Sequence, residues 1–107
     1  MKTIVYNKLI RDRIPEIIEK SGKKAIVEKA DGGKILDLLN TKLKEELDEY
    51  KESGNIEELA DLVEVVYGIL DFKGITLEEF ENIREEKNKA RGAFKEGLVL
   101  LKVLEDD

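Results

Sequence analysis

Two stretches of helical periodicity meet at Ser53-Gly54-Asn55, and this junction constrains the fold more than any other feature of the chain. Before it, Ile35, Leu36, Leu39, Leu43 and Tyr50 share one arc when residues 34–53 are projected at roughly 100° per residue. After it, residues 56–72 carry an unusually wide apolar arc that takes in Ile56, Leu59, Ala60, Leu62, Val63, Val65, Val66, Tyr67, Ile69 and Leu70. Glycine at a helix end adopts the left-handed conformation without a Cβ penalty, so Gly54 suits the end of the first helix and Gly74 that of the second. Asn55 is placed to cap the second helix. So short a connection makes the two helices an antiparallel hairpin.

Four acidic residues are mirror images about that junction: Glu46 and Asp61 are equidistant from it, and so are Glu49 and Glu58. In a hairpin, equidistant residues lie at the same height, and at about 1.5 Å per residue the two levels are roughly 4.5 Å apart. Residues three apart on one helix are neighbours, so all four carboxylates can converge.

Glu46 projects inside the apolar arc of its segment and Glu49 at the border; Glu58 projects between Leu62 and Val65, with Asp61 just outside. Carboxylates drawn towards a core are costly unless paired or metal-bound, and four together also repel one another. The chain has no histidine and no cysteine, so a metal here meets oxygen donors only. That donor set suits the hard cations Mg²⁺ or Mn²⁺, and a small site leaving positions to water or phosphate favours Mg²⁺. The competing reading is a pair of solvated, glutamate-rich helix faces, to which Glu45, Glu57 and Glu64 also lend themselves.

The rest of the sequence supports a mainly α fold: a four-helix-type bundle of antiparallel helices with a short C-terminal β strand or hairpin, completed by oligomerisation. Residues 7–22 read as a helical segment with Asp12 as N-cap and Pro15 in its first turn, where a missing N–H does no harm. Thr76-Leu77-Glu78-Glu79 is a capping box that opens a helix running to about Arg91. Residues 24–30 are β-compatible. The apolar run 98–104 fits strand or helix by periodicity, and its two valines and short length favour a strand paired with residues 25–29. The wide arc of 56–72 exceeds what one neighbour can cover, which predicts a homo-oligomer, dimer or tetramer, with that helix at the contact.

A chain of 107 residues and 12.2 kDa is expected to be a single domain spanning 1–107. Without cysteine or histidine, thiolate zinc sites, disulfide frameworks and histidine acid–base chemistry are excluded. No stretch approaches the roughly 20 apolar residues of a membrane span, and residues 1–9 lack a signal-peptide run, so a cytoplasmic protein without a membrane partner is expected. A net charge of −6 argues against a nucleic-acid polymer as partner. Gly32-Gly33-Lys34 lacks the remaining parts of a P-loop.

Two basic groups remain. Arg84, Asn88 and Arg91 are spaced four and three apart along one helix edge, where two guanidinium groups and an amide can grip a phosphate chain. Ordinary salt bridging with Glu81 and Glu85 is the alternative. Lys8, Arg11 and Arg13 cluster around Asn7, equally open between the two readings.

Taken together, the segment Tyr6-Asn7-Lys8-Leu9-Ile10-Arg11-Asp12-Arg13-Ile14-Pro15-Glu16, the acidic motifs Glu45-Glu46-x-x-Glu49 and Glu58-x-x-Asp61, and the stretch Arg84-x-x-x-Asn88-x-x-Arg91-Gly92 resemble the all-α nucleoside triphosphate pyrophosphohydrolases. Within that MazG-like superfamily the chain looks closest to the phosphoribosyl-ATP pyrophosphohydrolase-like branch. It departs in having Ala93 after Gly92, where the branch more often has a second glycine, and a short interval between Glu49 and Glu58. The resemblance implies Mg²⁺-dependent hydrolysis between the α- and β-phosphates of a nucleotide, giving a monophosphate and pyrophosphate. It implies Glu46, Glu49, Glu58 and Asp61 as metal ligands, Glu45 as the residue that orients or deprotonates the attacking water, and Arg84, Lys87, Asn88 and Arg91 as phosphate-binding. Asn7, Lys8 and Arg11 match the branch's N-terminal segment, and their charge suggests substrate binding. A helical module that holds a metal without catalysis, or a bundle whose acids and bases pair internally, remains the alternative.

Overall fold

The computed structural model describes residues 2–106 and is mainly α, with four helices among the described residues: α1 (Ile14–Lys20), α2 (Gly33–Ser53), α3 (Ile56–Lys73) and α4 (Leu77–Arg91). The chain forms two compact units, Met1–Ile75 and Thr76–Asp107. No described helix is long and apolar enough to cross a membrane.

In the first unit α2 and α3 pack on each other as a hairpin about Gly54 and Asn55. Gly54, at φ 69°, ends α2 in the left-handed conformation, its N–H donating to Tyr50 O, and Gly74 at φ 73° does the same for α3. Asn55 occupies the N-cap position of α3, but its side chain makes no capping bond; instead its backbone N–H donates to Ser53 Oγ.

The hairpin core is small. Leu39 and Val65 are each 8% exposed, and Gly68 lets the helices close: a Cβ there would sit 3.1 Å from Leu39 Cδ2. Ile35, Leu36, Leu43 and Tyr50 from the α2 arc are half-buried, as are Leu59, Leu62, Val66, Ile69 and Leu70 from the α3 arc. The outer part of the α3 arc is uncovered, with Ile56 76% exposed and Val63 and Tyr67 also open. One helix can cover only part of so wide a stripe.

The N-terminal helix is shorter than its sequence suggests. Residues 8–13 are not helical, and α1 starts at Ile14 behind Arg13, which displaces Asp12 as N-cap and makes no side-chain capping bond. Pro15 does sit in the first turn. Proline disfavours helical geometry in the residue before it, and Asn7 at φ 48° bends the chain further upstream, so a helix cannot extend back through this segment. Asparagine tolerates that left-handed backbone better than most side chains.

In the second unit, Thr76 Oγ1 accepts from the N–H of Glu79 while the Glu79 carboxylate accepts from the N–H of Thr76, the reciprocal capping box. Gly92 follows the last turn of α4. There is no strand among the described residues, and Leu98, Leu100, Leu101 and Leu104 are exposed.

Candidate metal centre

The hairpin brings Glu46 of α2 together with Glu58 and Asp61 of α3, one oxygen of each within 4.8 Å of the others. Such a group could hold a metal ion. Glu46 is 6% exposed, and its Oε2 is buried without a hydrogen-bond partner. A buried carboxylate oxygen left unpaired costs about 1–3 kcal/mol, so its persistence here asks for a further cation or donor. Glu49, one turn along α2, is exposed and stands outside the group of three. Burial pushes the Glu46 carboxyl above its ordinary value, and the neighbouring Glu49 carboxylate adds to the rise, against the pull of Lys42.

Three basic side chains face these acids. Arg11 Nη2 donates to Asp61 Oδ1 at 2.7 Å, and Lys8 Nζ to Glu45 Oε1 at 3.3 Å. Lys42, on α2, stands 3.3 Å from Glu46 Oε1 and 3.5 Å from Glu45 Oε1. Lys8, Arg11, Lys42, Glu46 and Asp61 line one cavity of about 270 Å³ together with Ile10 and Ile14. The N-terminal segment therefore reaches the acidic hairpin through Lys8 and Arg11, while Asn7 contributes the bend that precedes them. Lys42 stands outside the basic groups that the sequence marks at residues 8–13 and 84–91. The signal for it was present: it lies three and four residues before Glu45 and Glu46, the spacing at which opposite charges meet on a helix.

The second unit holds its own basic site. Arg84, Lys87, Asn88 and Arg91 line a cavity of about 360 Å³ with Gly92, Ala93 and Phe94. Arg84 gives both Nε and Nη2 to Glu81 Oε2, at 3.0 and 2.7 Å, and so takes up the salt bridge that its spacing also allowed. Arg84 beside it holds the Glu81 carboxyl below its ordinary value.

Comparison of the chain with protein-family models, with curated proteins and with solved structures finds no match. Function therefore has to be argued from the chemistry of the carboxylate group and the cations around it.

Proposed function

We propose that the protein is a Mg²⁺-dependent nucleotide pyrophosphohydrolase, cleaving a nucleoside triphosphate or a phosphoribosyl-ATP-like nucleotide between its α- and β-phosphates to leave a monophosphate and pyrophosphate. The unpartnered, buried Oε2 of Glu46, set among the carboxylates of Glu58 and Asp61, carries the proposal. Oxygen donors alone, without sulfur or nitrogen, fit Mg²⁺ first and Mn²⁺ second. Glu46, Glu58 and Asp61 hold the ion in this reading, and the exposed Glu49 joins them from the next turn.

Bound there, Mg²⁺ supplies charge neutralisation of phosphate oxygens and a more acidic water. Glu45, kept at the rim by Lys8 and Lys42, orients the attacking water and takes its proton. Lys8 and Arg11 line the same cavity and bind phosphate oxygens, with Asn7 setting the bend that delivers them. Arg84, Lys87, Asn88 and Arg91 form a second phosphate grip, Arg91 and Asn88 offering donors beside the Arg84–Glu81 pair. The expected result is pyrophosphate released, with Mg²⁺ present, from at least one member of a panel of nucleoside triphosphates and phosphoribosyl-ATP. Mg²⁺ binding with no pyrophosphate from any of them would instead support a non-catalytic metal-binding interaction module.

The active form in this reading is a homo-oligomer joined through the outer stripe of α3, where Ile56, Val63 and Tyr67 are exposed. Val63→Glu places a charge in the middle of that stripe and is expected to leave a monomer in sedimentation. A wild-type protein that is monomeric at every concentration, or a variant with the wild-type mass, would rule this out.

A further inference from the structure

Lys42 has no role in the reading above beyond holding Glu45 at the rim, yet its side chain is only 17% exposed and its ammonium lies between Glu46 and Glu45. Burying a lysine costs free energy that an exposed surface pair never incurs, so a lysine held in such a place compensates charge there. Its partner is the most buried acid of the group. Lys42 is 3.3 Å from Glu46 Oε1 while Oε2 of the same carboxylate has no partner, so one oxygen is held and the other left open. Arg11 occupies Asp61 similarly, through Oδ1. The carboxylates are thus partly neutralised by the protein's own cations, and Lys42 borders the cavity that Lys8 and Arg11 line.

We infer that Lys42 is the resident counter-cation of the carboxylate group: it holds Glu46 in place when no metal is bound, competes with the metal for that carboxylate, and turns its charge to phosphate oxygens once the metal is in place. This rests on the proposed metal centre. A lysine that compensates charge obeys a simple electrostatic rule. A positive charge within a few ångströms of a divalent cation weakens its binding, and the same charge strengthens the binding of a polyanion. Removing it should move the two ligands in opposite directions, which a lysine that merely packs the hairpin has no reason to do.

The test is Mn²⁺ binding to the full chain without nucleotide, followed by electron paramagnetic resonance, in wild type, Lys42→Met, Lys42→Gln and Lys42→Arg, with helicity checked by circular dichroism. Lys42→Met and Lys42→Gln are expected to bind Mn²⁺ about tenfold more tightly, as loss of one nearby positive charge predicts. Lys42→Arg should bind as wild type does, and the two neutral variants should show a raised KM for the hydrolysed nucleotide. Unchanged or weaker Mn²⁺ binding in a folded neutral variant, the Gln form serving should the Met form not fold, overturns the inference while leaving the metal centre standing. Absence of Mn²⁺ binding to wild type overturns the metal centre, and the inference with it.

Discussion

Glu46→Gln is expected to raise the melting temperature of the metal-free protein at neutral pH, and to abolish both its stabilisation by Mg²⁺ and its Mg²⁺-dependent pyrophosphate release. The first effect follows from burial. Glu46 is 6% exposed with one oxygen unpaired, and burial followed by the Glu49 carboxylate pushes its carboxyl above the ordinary value of 4.5. A carboxyl that binds its proton more tightly in the folded chain than in the unfolded one stabilises the fold most below its ordinary value. That contribution is lost as pH rises through the raised folded value. The metal-free wild type should therefore lose stability from acid towards neutral pH by this route, and the Gln variant should lose less.

Neutralising the site is expected to add about 1 kcal/mol at neutral pH, or roughly 4–8 °C in the melting temperature of a domain this small. A metal reverses the sign for wild type, since it binds the ionised carboxylate and stabilises the fold in proportion to occupancy. Melting curves of wild type and variant with and without Mg²⁺, across the acid-to-neutral range, separate the two effects. A variant less stable than wild type at neutral pH without metal would show that the Lys42 contact outweighs the cost of burying the charge. Equal response to Mg²⁺ in both would sink the assignment of Glu46 as a ligand.

Leu39→Ala is expected to cost about 2–5 kcal/mol, a large share of the roughly 5–15 kcal/mol that holds a domain folded. Leu39 and Val65 are the buried apolar side chains of the first unit, so the hairpin has little else to fall back on. The side chain fills the space that the missing Cβ of Gly68 leaves, at 3.1 Å from where that atom would stand. A double-mutant cycle isolates this contact. Gly68→Ala alone should gain little or be destabilising, because a methyl group there presses on Leu39. In the Leu39→Ala background the same change should stabilise by up to about 1 kcal/mol, because alanine is the better helix former and the obstruction has gone. Chemical denaturation of the four proteins measures the cycle. Additive effects would show that helix approach at Gly68 does not depend on Leu39.

The carboxylate group depends on this packing. Glu46 stands on one helix of the hairpin, Glu58 and Asp61 on the other, so separating the helices disperses the oxygens that now lie within 4.8 Å. Leu39→Ala is thus expected to weaken Mg²⁺ stabilisation as well, although Leu39 is not itself one of the carboxylates.

Much of this was legible in the chain itself. The ends of α2 and α3 follow from Gly54 and Gly74 in the left-handed conformation, and the start of α4 from the Thr76–Glu79 box, because each is decided by a few adjacent residues and one or two backbone hydrogen bonds. The burial of Glu46 followed from its place in the α2 arc, and its meeting with Asp61 from equal distances to the turn, with Glu58 brought in as the neighbour of Asp61 three residues away on α3. Glu49 departs from that symmetry because it projects at the border of the arc, where a long side chain is free to turn to solvent.

The N-terminal segment was less legible. Its apolar spacing suggests a helix over 7–22, but Pro15 and the left-handed Asn7 confine the helix to Ile14–Lys20 and leave Lys8 and Arg11 on irregular chain. That irregularity frees them to reach acids 37 and 50 residues away.

By itself, then, the sequence determined α2, α3 and the start of α4, the turn between the first two and the side of each of those two that faces inward, since those depend on local backbone preference and periodicity. Only the tertiary structure decided which acids the N-terminal cations meet, Lys8 with Glu45 and Arg11 with Asp61, and that one oxygen of Glu46 is left buried without a partner. Charge attraction falls off slowly with distance and has no register, so for cations this far away in the chain no spacing can choose among several acids. The packing of α2 on α3 makes that choice by setting which carboxylates lie within reach of a folded-back segment.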